Sequence, residues 1–181
     1  MSDLSQVTAI ILAGGLGTRL RKVVSDRPKV MAEINGKPFL YYLLDQLVDA
    51  SIEKIVISTG YMGHLIEETV GSSYKRLQVN YSPEEIPLGT AGALKLAGQA
   101  VDTEKCLVMN GDSYMKFDPL LLLMNHKKSD ASITIVIKKV EVSSRYGVID
   151  MNPEHEIVQF IEKGSAGGSG HMNAGVYLVE M

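Results

Sequence analysis

Residues 7–20, Val7-Thr8-Ala9-Ile10-Ile11-Leu12-Ala13-Gly14-Gly15-Leu16-Gly17-Thr18-Arg19-Leu20, run an apolar stretch straight into a glycine-rich turn. Val7 to Ile11 has the apolar continuity of a buried strand. Gly14, Gly15 and Gly17 let the backbone approach a ligand closely and aim N–H groups at it, and Arg19 adds a fixed positive charge. A buried strand that delivers such a turn is the layout of a phosphate cradle, so a nucleotide is the expected ligand. A plain tight turn is the competing reading of the glycines taken alone.

The two better-known glycine loops do not fit. A Walker loop needs Gly-Lys-Ser/Thr where Gly17-Thr18-Arg19 stands. A dinucleotide fingerprint needs a third glycine at Leu20 and an acidic residue closing the second strand, where Ser58, Thr59 and Gly60 occur instead.

The 181 residues, 45% hydrophobic, suffice to bury one sizeable core, and no Pro/Ser-rich linker or internal repeat divides them, so residues 1–181 read as a single domain. A net charge of -3 with no stripe of lysines or arginines argues against nucleic acid and membrane as partners. The sequence leaves a homo-oligomer open. The lone Cys106 lies within Lys105-Cys106-Leu107-Val108-Met109 and reads as buried packing. The N-terminus lacks a signal-peptide pattern, and no apolar run approaches the roughly 20 residues of a membrane span, so a cytoplasmic protein is expected.

Beyond the turn, strand and helix alternate. Pro38 opens a helix whose Phe39, Leu40, Leu43, Leu44, Leu47 and Val48 share one face. Strands follow at Lys54 to Thr59, Leu77 to Tyr81 and Lys105 to Met109, separated by helices over His64 to Val70 and Thr90 to Ala100. This alternation predicts an α/β fold with a parallel sheet and a ligand at the carboxyl ends of its strands. From about Ala131 the pattern turns to strands, at Ile133 to Lys138, Tyr146 to Met151, Ile157 to Ile161 and Gly175 to Val179, which predicts a mixed extension of the sheet. Gly164 to Gly170 reads as a flexible connector.

Three places carry candidate chemistry. Asp112, just past a buried strand and beside Gly111, is the candidate metal ligand; a turn residue capping its own backbone is the alternative. Lys29, after Pro28, returns a second cation toward the phosphates or is a solvated lysine. In the run Tyr81 to Ala93, Glu84 is placed to accept hydrogen bonds from a base edge, and a carboxylate suits the N1–H and exocyclic amine of guanine; a solvated side chain is the alternative.

Six ordered motifs then join these places: residues 12–20, Arg27-Pro28-Lys29, Pro87-Leu88-Gly89-Thr90-Ala91-Gly92, Asn110-Gly111-Asp112, Phe160-Ile161-Glu162-Lys163 and Asn173-Ala174-Gly175-Val176-Tyr177. Together they resemble the sugar-phosphate nucleotidyltransferases across nearly the whole chain. Arg145-Tyr146-Gly147, Pro87 to Thr90 and Pro38-Phe39-Leu40 are most similar to the branch that transfers GMP to a heptose 1-phosphate. The resemblance implies a Rossmann-like three-layer αβα nucleotide-diphospho-sugar transferase fold with a mostly parallel mixed sheet. It also implies transfer of a nucleotidyl group from a nucleoside triphosphate, GTP favoured, to a sugar 1-phosphate, with release of pyrophosphate and with Mg2+ as cofactor.

By the family pattern, Gly14, Gly15, Gly17 and Thr18 cradle the triphosphate, Glu84 and Gly89 meet the base, and Leu12, Ala13, Arg19, Lys29 and Thr90 complete the nucleotide site. Asp112 binds magnesium and works with Arg19 and Lys29 in catalysis; Gly147, Glu162, Lys163 and Asn173 take the sugar 1-phosphate. The family supplies a second metal-binding aspartate beyond the last of these motifs, and the sequence stops at Met181, so the expectation is a domain lacking its C-terminal segment, with weak turnover alone. The competing expectations are a uridylyl- or other nucleotidyltransferase for another sugar 1-phosphate, such as that of mannose or N-acetylmuramate, and a regulatory subunit that binds nucleotide sugars.

Overall fold

The computed structural model describes residues 4–15, 26–141, 147–162 and 168–181; Gly17, Thr18, Arg19, Arg145, Tyr146 and Lys163 lie outside the described residues. Strand β1 (Val7–Leu12) is paired in parallel with β4 (Lys54–Thr59) on one side and β7 (Lys105–Asn110) on the other, and β6 (Leu77–Pro83) lies parallel beyond β4. Leu12, Thr59, Pro83 and Asn110 therefore end along one edge. A short antiparallel strand β5 (Ser73–Tyr74) closes the far side, and a separate pair, β2 (Glu33–Ile34) and β3 (Lys37–Pro38), precedes the first helix.

On the other flank, β11 (Gly170–Glu180) runs antiparallel to β7 and also pairs with β8 (Ile133–Val140) and β9 (Val148–Met151), while β10 (Ile157–Ile161) adds to β9. The order along the sheet is β10-β9-β11-β7-β1-β4-β6-β5, with β8 on β11. This is the expected mostly parallel sheet with an antiparallel extension. β11 begins five residues earlier than its apolar run, because pairing with β8 and β9 draws the polar stretch from Gly170 to Asn173 into the ladder.

Strand periodicity divides the core into two layers. Ala9, Ile11, Ile55, Ile57, Leu107 and Met109 face one side, where they pack with Leu40, Leu43, Leu44 and Leu47 of α1 (Phe39–Asp49), Ile66 and Val70 of α2 (Gly63–Val70), and Leu122 and Leu123 of α4 (Pro119–Ser129). The intervening Ile10, Val56, Cys106 and Val108 face the other side, against Ala97 of α3 (Gly89–Gly98). Each fully buried leucine of α1 contributes about 1.5–3 kcal/mol of transfer free energy. Burial also pushes the Cys106 thiol up to about 12, consistent with a packing role. Among the described residues no helix is long and apolar enough to cross a membrane.

The apolar residues of helix α4 follow no helical period, since Leu120 to Leu123 run consecutively, and its buried face is Leu122, Leu123 and His126. Its start is set locally: Pro119 takes the first turn, and the Asp118 carboxylate accepts hydrogen bonds from the Leu120 and Leu121 amides. His126, 1% exposed, ties the helix to the sheet, with Nδ1 2.7 Å from Thr134 Oγ1 and Nε2 2.9 Å from Glu180 Oε1.

Asp45 on α1 fastens the helix to β3 and to the β5–β6 turn. Burial pushes its carboxyl up, but hydrogen bonds from Lys37, Lys75 and Tyr74 outweigh that and hold it down at about 2. A carboxyl lowered on folding adds stability above its ordinary pKa and loses it as the pH falls from about 4 toward 2. Asp45→Asn is therefore expected to destabilise the fold by about 1–2 kcal/mol at pH 7, allowing for solvent screening, with the gap closing near pH 2. Denaturant melts of both proteins across this range check it; a gap that persists unchanged at pH 2 rejects the ion-pair account.

Candidate functional site

The first turn is gripped from both sides by backbone. Ala13 N donates to Ser58 O at 2.8 Å, and Gly111 N donates to Leu12 O at 2.9 Å, so β4 and β7 each hold one flank. The approach is too close for side chains: a Cβ on Gly60 would lie 2.7 Å from Gly14 O, and one on Gly111 would lie 2.6 Å from Leu12 O. Gly15 faces open space, with nothing within 4 Å of where a side chain would begin. The turn is thus fixed from behind by β4 and β7 and open in front at Gly15, as a cradle for an anion requires.

Lys29 opens a 3-10 turn after Pro28, and its Nζ lies 2.8 Å from Asp112 Oδ2 across 83 residues of sequence. Both groups remain partly open to solvent, at 39% and 51% of the side chain. Burial raises the Asp112 carboxyl, while the hydrogen bond and charge of Lys29 and a hydrogen bond from Ser113 outweigh it and leave the group below the usual carboxylate range. Asp112 is therefore an anion held at the mouth of the cradle. Among the described residues no cluster of three or more His, Cys, Asp or Glu stands ready for a metal. One charged carboxylate still fits magnesium, which keeps several waters and takes its other ligands from substrate phosphates.

Glu84 is more constrained than its sequence setting implies. Its Oε1 accepts from the Ser58 hydroxyl at 3.1 Å and its Oε2 from the Leu88 amide at 3.0 Å. The carboxylate lies so near the first turn that a Cβ on Gly14 would be 2.2 Å from Oε1. Gly89, at φ +69°, begins α3 beside it, and Thr90 is exposed in the first turn of that helix.

The remaining candidates gather on the antiparallel flank. Met172 pairs with Val148, and Val148 with Ile161, so the next positions outward are Asn173 on β11, Gly147 just before β9 and Glu162 just after β10. Asn173 is locally engaged: its Oδ1 accepts from Gly175 N and its Nδ2 donates to the Tyr177 hydroxyl, both at 2.9 Å. It stands at a bulge, where four steps along β11 from Asn173 to Tyr177 match two along β8. Gly175, at φ +75°, leaves the space that the Asn110 amide fills, since a Cβ there would lie 2.8 Å from Nδ2. The structure thus brings Leu12 to Gly15, Lys29, Glu84, Gly89 and Asp112 together, with Gly147, Glu162 and Asn173 on the adjoining flank.

Ser58, Asn110 and Tyr177 join the site although the sequence assigned no role to any of them. Ser58 and Asn110 are both in register with Leu12, one on each side. A polar residue near the end of an otherwise apolar strand was the signal available for Ser58 and Asn110.

A family described as nucleotidyl transferase matches residues 8–180. The chain is 39% identical over 170 residues, 94% of its length and 73% of the relative's, to D-glycero-alpha-D-manno-heptose 1-phosphate guanylyltransferase of Aneurinibacillus thermoaerophilus. It is 34% identical over 176 residues to the mannose-1-phosphate guanylyltransferase of Mycobacterium tuberculosis, covering 97% of this chain and 49% of that one. Among solved structures, HddC from Yersinia pseudotuberculosis, also solved in complex with GMP-PN, matches with a TM-score of 0.85 at 35% identity, over 96% of this chain and 76% of that one.

Proposed function

Because the chain belongs to the nucleotidyl transferase family, we propose that it transfers GMP from GTP to D-glycero-α-D-manno-heptose 1-phosphate and releases pyrophosphate. The observation that carries this reading is the Lys29–Asp112 pair at the edge of the open glycine turn, a cation and an anion beside a backbone cradle. The heptose relatives favour the acceptor, and the carboxylate of Glu84 beside the turn favours guanine, which offers two adjacent donors.

In this reaction a phosphate oxygen of the sugar attacks the α-phosphorus in line with the departing pyrophosphate. Both reactants are anions, so the protein's work is to align them and offset the charge that builds on the bridging and leaving oxygens. Backbone N–H groups of Gly14 and Gly15, with Gly17 and Thr18, receive the triphosphate, and Lys29 and Arg19 add cations. Asp112 holds magnesium, which when bound supplies further neutralisation of the phosphates. Gly147, Glu162 and Asn173 receive the sugar, and Lys163 pairs with its phosphate. Residues 1–181 act in this reading as one nucleotidyltransferase domain.

Pyrophosphate release across four nucleoside triphosphates and a panel of sugar 1-phosphates tests the proposal. The expected maximum is GTP with the heptose 1-phosphate; preference for UTP overturns the guanine reading. The mannose relatives supply the second reading, and a maximum with mannose 1-phosphate selects it.

Arg19 provides a sharper test of the cradle. An arginine engages two phosphate oxygens with its planar fork, whereas lysine offers a point charge. Arg19→Lys is expected to lower kcat about 10- to 100-fold, or about 1.4–2.7 kcal/mol of barrier, with a smaller loss of nucleotide affinity. Steady-state kinetics with affinity from calorimetry checks this, and wild-type values for both remove Arg19 from the site.

A further inference from the structure

Ser58 lies at the carboxyl end of β4, is 0% exposed, and serves two partners at once. Its carbonyl accepts from Ala13 N in the first turn, and its hydroxyl donates to Glu84 Oε1. The other carboxylate oxygen of Glu84 is held by Leu88 N, immediately before Gly89 and α3. Glu84 N in turn donates to Thr59 O at 2.8 Å, so backbone and side chain of this residue are both anchored to the end of β4. A carboxylate oxygen has two acceptor sites, so a single partner on each oxygen leaves one site on each for a ligand.

We infer that Ser58 is a positioning residue for base selection: through its buried hydroxyl it fixes the Glu84 carboxylate so that the two unused acceptor sites meet the N1–H and 2-amino group of guanine. The inference rests on the proposal that Glu84 faces the base. The side chain of Ser58 acts through Glu84, while its carbonyl holds Ala13 N whatever the side chain. A carboxylate held at both oxygens has already given up the side-chain freedom that binding otherwise costs, so its selectivity depends on the groups that hold it.

Calorimetric affinities for GTP, for inosine triphosphate, which lacks the 2-amino group, and for inorganic tripolyphosphate, which has no base, test the inference in wild type and in Ser58→Ala. A hydrogen bond to a charged acceptor predicts that wild type favours GTP over inosine triphosphate by about 10- to 100-fold. Ser58→Ala is expected to narrow that ratio at least about fivefold while tripolyphosphate binds as before. In a Glu84→Ala background the same substitution should leave the ratio unchanged.

A wild-type ratio near one overturns the guanine reading and the inference with it. A large wild-type ratio that Ser58→Ala leaves intact overturns the inference alone, and so does an equal loss of GTP and tripolyphosphate, the mark of a merely structural serine. Ser58→Cys keeps the buried volume and weakens the donor. It gives the same reading, with a smaller narrowing, where thermal melts show the alanine variant unfolded.

Discussion

Replacing Asp112 by Asn is expected to lower kcat by at least about 10³-fold at saturating GTP and magnesium while the protein stays folded. The substitution keeps the shape of the side chain and removes the charge that a metal needs. The fold should hardly notice, because the pair that Asp112 makes with Lys29 is half open to water, and exposed pairs of this kind are worth about 0–1 kcal/mol. What the substitution removes is an anion kept charged by Lys29 and Ser113 against the pull of burial. Pyrophosphate release titrated with magnesium, beside a thermal melt, separates the two effects. A wild-type rate with ordinary magnesium dependence rejects the metal role.

Gly111→Ala is expected to cost about 100-fold in turnover together with about 1–3 kcal/mol of stability. The added methyl would start 2.6 Å from the Leu12 carbonyl oxygen and 3.2 Å from Ala13 Cα, both backbone atoms that cannot rotate away. Relief requires β7 and the first turn to separate, which stretches the bond from Gly111 N to Leu12 O and carries Asp112 away from the cradle. A displacement of about 1 Å suffices for a loss of that size in a reaction that depends on alignment. Urea unfolding and steady-state kinetics check it; wild-type turnover would show that the two strands have slack that their packing does not reveal.

The parts of the molecule that were legible in the sequence are those whose signal is local. The apolar run before Gly14, the one-sided leucines of α1 and the placement of Asp112 after an apolar strand each follow from periodicity and turn chemistry. Helix α4 was not expected, because Leu120 to Leu123 give no helical stripe; the Asp118–Pro119 start was the legible cue. The engagements of Glu84 by Ser58 and of Lys29 by Asp112 join residues 26 and 83 positions apart, and no local rule reports such partners. Asn173 differs again: its neighbours Gly175 and Tyr177 are close in sequence, but the bulge that turns its amide onto them exists only when β11 is paired with β8. Leu12, Ala13, Gly14 and Gly15 could be read as a cradle from composition, whereas the reason for Gly60 and Gly111 appears only when the three strands lie side by side.

Strand β11 has a consequence for how the chain is made. Among the described residues β8 pairs only with β11, and the β9–β10 ribbon joins the sheet only through it, so three strands translated earlier have no place to dock until residues 170–180 emerge. Until then β7 presents an unpaired row of backbone groups on that side, an invitation to wrong partners. The parallel half, with the glycine cradle, assembles during synthesis, and the half beside Asn173 waits for β11. A released chain truncated before residue 170 should thus keep a protease-resistant parallel half and leave β8, β9 and β10 open to cleavage.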